Sequence, residues 1–82
     1  RFDGARGALT GALLSARTQI AAVEDYIGSH GGGAGSRSKL AEAKRELLLA
    51  ENESDPVAAL DAARRAANRA RDADDLARYA GR

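Results

Sequence analysis

The chain has 82 residues, 13 basic against 12 acidic side chains and a formal net charge of +1. That is the size of one small domain, and the balance argues against nucleic acid or an anionic membrane as the main partner, since both call for a basic excess. With no cysteine and one histidine, a disulfide framework and a thiolate metal site are excluded.

No apolar run approaches the ~20 residues needed to cross a bilayer, and no signal-peptide pattern is present. The chain begins at Arg1, not methionine, which points to an excerpt of a longer protein.

In chain order, the first segment places Phe2, Leu9, Leu13, Ala16, Ile20, Val23 and Ile27 at heptad-type spacing. That predicts a helix over about 3–28 with one seam facing a partner. Gly4, Gly7 and Gly11 each lower helix propensity by up to about 1 kcal/mol, so the first two turns are expected to fray. Gly28 stands where a helix C-cap prefers glycine. The second helix is predicted over about 37–52, capped by Ser36 or Ser38. Leu40, Ala43, Leu47 and Ala50 form its seam, Leu48 widens it, and Leu49 falls off it. The third helix, about 56–79, has the clearest start: Asp55 is a natural N-cap and Pro56 suits the first helical position. Its stripe reads Val57, Leu60, Ala63, Ala67, Ala70 and Ala77, flanked by Ala59, Ala66, Ala73 and Ala80. No alternating β-branched run supports a strand.

These elements predict one all-α domain over 1–82, an antiparallel up-down-up three-helix bundle with coiled-coil-like packing. Gly4, Ala8, Gly11, Ser15 and Thr18 form a small-residue stripe expected to receive the third helix. Leu13, Ile20, Val23, Leu40, Leu47 and Leu60 are expected to fill the middle. Phe2, Tyr26 and Tyr79 are expected to cover its ends.

Little of the chain carries a chemical signature. In "SHGGGAGSRS" (29–38) no lysine follows the last glycine and no strand precedes it, so the phosphate-loop pattern fails. The third glycine of a dinucleotide fingerprint would fall on Ser36. The stretch reads as an interhelical turn with a weakly anion-attracting helix start beside Arg37. His30 lacks a second ligand and reads as a solvated residue at a helix end. No serine or threonine has a His–carboxylate pair near it in the sequence. The carboxylates of "RDADDLAR" lie at helical spacing from Arg71 and Arg78, without the glycine and glutamate of a calcium loop. Arg64, Arg65, Arg69 and Arg71, with Arg37, form an alternative anion-binding set. Asp61 is spaced to pair with Arg65, as Asp74 is with Arg78, and no aromatic lies among them to stack a base.

Residues 26–70, with "KLAEA" at Lys39–Ala43 and "DPVAAL" at Asp55–Leu60, are similar to a helical region of actinobacterial membrane proteins that carry a TPM domain. The likeness runs over roughly 19–73. Lys39 stands where that family usually has arginine. What the resemblance implies is a helical module following the TPM domain and a transmembrane helix, cytoplasmic in preference, on a membrane-anchored parent. None of the acidic sites of the TPM domain itself is present, so no catalytic residue carries over.

The residues thus predict a non-catalytic spacer or protein-interaction module with no cofactor and no small-molecule substrate. Its structural positions are Leu13, Ile20, Val23, Ile27, Leu40, Leu47, Asp55, Pro56 and Leu60. Its expected partner is another protein, or a second copy, against an apolar helix face.

Overall fold

A computed structural model describes residues 3–80. It contains three helices, α1 (Asp3–His30), α2 (Gly33–Asn52) and α3 (Pro56–Ala80). They pack into an all-α three-helix bundle about 47 Å long and 15–16 Å across. Two-residue and three-residue connections force successive helices to run antiparallel. α3 packs against both partners, while α1 and α2 touch one another least. The expectations placed on Phe2 and on the side chain of Ala80 lie outside the described residues.

The reason α3 is central is its alanine seam. Ala59, Ala63, Ala66, Ala70, Ala73 and Ala77 are all fully buried, flanked by buried Ala62 and Ala67. A side chain that stops at Cβ lets backbones approach closely, and each such residue also favours the helix. Bulk is supplied from the other two helices. Ile20, Val23 and Leu40 are buried with Ala43 against Ala70 and Ala73, and Ile27 and Leu47 pack on their edge. Fully burying a side chain of that size is worth about 1.5–3 kcal/mol. Towards the other end, Ala16 meets Ala66 and Ala67, and Leu9, Ala12 and Leu13 pack on Ala50, Ala62 and Ala63.

The seam of α3 keeps Ala63, Ala67, Ala70 and Ala77 of the expected stripe but is rotated towards its predicted flank, Ala59, Ala66 and Ala73. Val57 is exposed, and Leu60 is only half-buried. The small-residue stripe of α1 does not receive α3: Gly4, Ala8, Gly11, Ser15 and Thr18 are exposed. α1 instead turns its larger heptad residues inward, because they bury more apolar area. Tyr79 is 78% exposed and covers nothing.

The glycine stretch is mostly helical. α1 runs past Gly28 to His30, whose ring stacks on Tyr26 with centroids 4.4 Å apart. His30 Nδ1–H donates to the Tyr26 carbonyl at 3.2 Å, which fixes the ring against the last turn of α1. The left-handed residue that stops the helix is Gly31 (φ 72°), whose N–H donates to the Ile27 carbonyl at 2.8 Å. α2 begins four residues before its expected start, with Gly32 at the N-cap. Ser36 is not a cap. It sits fully buried one turn inside α2 and donates its hydroxyl to the Gly32 carbonyl at 2.6 Å, with the Gly33 carbonyl at 3.1 Å. Asp55 does cap α3: its Oδ2 accepts from the Ala58 N–H at 3.3 Å, and Pro56 opens the helix.

Candidate interaction surface

Charged side chains on the flanks follow the rotation of α3. Arg65 donates to Glu46 at 3.1 Å and Arg69 to Glu42 at 3.2 Å, so both reach across to α2. Arg65 pairs with Glu46 and not with the expected Asp61, since the interhelical carboxylate lies beside it. On the α1–α2 seam Arg17 pairs with Glu51 at 2.8 Å and Lys44 pairs with Glu24. All of these pairs are largely exposed, and such pairs contribute about 0–1 kcal/mol each. They fix register more than stability.

The alternative anion-binding set is thereby split. Arg65 and Arg69 serve the α2–α3 seam, and Arg37 lies near the start of α2, exposed. Arg64 and Arg71 lie on the other flank of α3, beside α1, with Arg78 in line at the same seven-residue step. Arg78 donates to both oxygens of Asp74 at 2.9 and 3.0 Å, and its guanidinium lies 4.5 Å from the centre of the Tyr26 ring. The hydrogen bond and charge of Asp74 raise its pKa further above the ordinary arginine value. Among the described residues, no ion pair bridges α1 and α3.

Two clefts open along that α1–α3 seam. One, about 190 Å³, is lined by Gln19, Ala22, Arg71, Asp74 and Arg78. The other, about 290 Å³, is lined by Ala12, Ser15, Arg64, Ala67, Asn68 and Arg71. Arg71 borders both clefts, which lie in series as a trough along the seam.

A second surface lies on the outward face of α2. Leu48 and Leu49 are 60% and 58% exposed, side by side, flanked by Arg45 and Asn52. The sequence placed Leu48 on the seam; it lies outside it. No group of three or more metal-ligating side chains is assembled among the described residues, and none of their helices is long and apolar enough to cross a membrane. The His30 ring is engaged with Tyr26.

No protein-family model, curated protein or solved structure matches this chain.

Proposed function

We propose that the chain is a non-catalytic helical module that spaces and docks other parts of a protein assembly, presenting the outward face of α2 to an apolar partner helix. The observation that carries this reading is the adjacent pair Leu48 and Leu49, each more than half exposed on a face that no helix of the bundle covers. Two leucines beside an arginine and an asparagine form an apolar centre with a polar rim, the composition of a docking surface.

Magnitudes select the kind of partner. Full burial of a leucine is worth about 1.5–3 kcal/mol, so two such faces meeting would gain roughly 4–7 kcal/mol from four leucines about three-fifths exposed. Association costs an estimated 4–15 kcal/mol in lost freedom. A homodimer resting on these leucines alone is therefore weak, and a lasting complex needs a partner that adds further surface. The sequence likeness to the helical region of TPM-domain membrane proteins supports a place beside a membrane-anchored domain, with this module as its exposed helical extension.

The test is selection of helical peptides from a displayed library against the protein, followed by the Leu48→Gln/Leu49→Gln variant. Binders that lose affinity for the variant, while its urea midpoint is unchanged, support the reading. Binders indifferent to the variant, or a variant that unfolds more readily, contradict it.

A further inference from the structure

We propose that the trough between α1 and α3 is a second docking site, and that its occupant is an amphipathic helix carrying carboxylates seven residues apart. Two independent features of that seam point there. The first is charge left over: the other two seams are bridged by ion pairs, whereas on this one Arg64 and Arg71 meet no carboxylate among the described residues, and Arg71 reaches only the Asn68 side-chain oxygen at 3.5 Å. The second is shape. The trough floor is mostly alanine from both helices, with Val23 beside Ala22 and Ala70, so a further helix can approach closely there.

The spacing of the arginines favours a helix over a free anion. Arg64, Arg71 and Arg78 recur every seven residues, so at 1.5 Å rise they stand about 10.5 Å apart in a straight row. A helix laid along the trough brings its own i and i+7 residues to the same interval, and it can place carboxylates opposite Arg64 and Arg71 together. Arginine suits that role because its planar fork can bind a carboxylate bidentately. Polyanion binding fits less well. The Tyr26 ring beside it is already covered by Arg78 and His30. A nucleic-acid groove uses free aromatic faces to stack bases.

The probe is a synthetic helical peptide of about three heptads, leucine and alanine on one face and glutamate at seven-residue spacing along each rim. Its partner is the same peptide with lysine for glutamate, and binding is followed by fluorescence anisotropy at low salt. The glutamate peptide is expected to bind at least about tenfold more tightly than the lysine peptide. Arg64→Glu/Arg71→Glu is expected to weaken it at least about tenfold. Arg45→Glu and Leu48→Gln/Leu49→Gln, on the opposite surface, are expected to leave it unchanged, which separates this site from the α2 face. Arg64→Gln/Arg71→Gln serves if the charge reversal lowers helicity. Absence of binding, affinity that survives loss of both arginines, or equal displacement of the peptide by inorganic phosphate or a single-stranded oligonucleotide would overturn the proposal. So would a dimer of the protein whose formation excludes the peptide.

Discussion

Gly32 is the most confined of the described glycines, and replacing it by alanine tests the packing at the α1–α2 turn. A Cβ there would come well inside van der Waals contact of Ser36 Oγ, 3.0 Å from Ile27 Cγ1 and 3.1 Å from the Ala77 Cβ. The carbon is therefore hemmed by all three helices. Ser36 can yield only by rotating its hydroxyl off the Gly32 carbonyl, which forfeits about 0.5–1.5 kcal/mol and leaves a buried donor unmet. Ile27 and Ala77 can yield only by moving the helix ends, and overpacking of that kind costs about 1–3 kcal/mol. The sum is a loss of about 2–4 kcal/mol, a large part of the 5–15 kcal/mol typical of a domain. Urea unfolding followed by circular dichroism is expected to show a lower midpoint with an unchanged slope. Gly28→Ala is the companion, because its Cβ would meet nothing within 4 Å inside a helix. It is expected to stabilise by about 0.5–1 kcal/mol. In the Gly32→Ala/Ser36→Ala double variant the closest clash is gone, so the two effects should couple favourably. A Gly32→Ala loss below about 0.5 kcal/mol, or equal effects at positions 28 and 32, would refute this account of the turn.

Two further outcomes follow from the helix ends and flanks. Asp55→Ala removes the side-chain acceptor of the Ala58 N–H, and is expected to lower stability by about 1 kcal/mol in the same unfolding assay. A double-mutant cycle on Glu46 and Arg65 is expected to give a coupling energy of no more than about 1 kcal/mol, shrinking in high salt; a coupling several times larger would mean that the pair is desolvated.

The heptad of α1 is legible in the sequence because its positions contrast: Ile20 and Val23 are bulky where their neighbours are small or charged. α3 offers no such contrast. Alanine occurs around much of its circumference, so the two bulky residues near its start, Val57 and Leu60, draw the predicted stripe away from the seam through Ala59, Ala66 and Ala73. That same rotation decides which arginines are engaged. Arg65 and Arg69 find α2 carboxylates and Arg64 and Arg71 do not, a distinction of one or two positions that composition does not carry. The glycine stretch misleads in a different way. Low propensity predicts an early end to α1 and a late start to α2, yet the Tyr26–His30 stack and the inward hydroxyl of Ser36 extend both helices. Only Gly31 and Gly33 (φ 80°) take the left-handed backbone that glycine favours. Asp55–Pro56 is read correctly because an N-cap is a local device, needing no knowledge of what the helix will pack against.

The central claim is that three helices complete their own core and leave two separate faces for other chains. Sedimentation equilibrium, with helicity followed by circular dichroism across a wide concentration range, tests it most directly. A monomer whose helicity is constant at every concentration up to about the hundred-micromolar level is expected, since the leucine face alone falls short of a stable dimer. A dimer at low micromolar concentration, or helicity that rises with concentration, would contradict it and show that the alanine seam depends on a second copy.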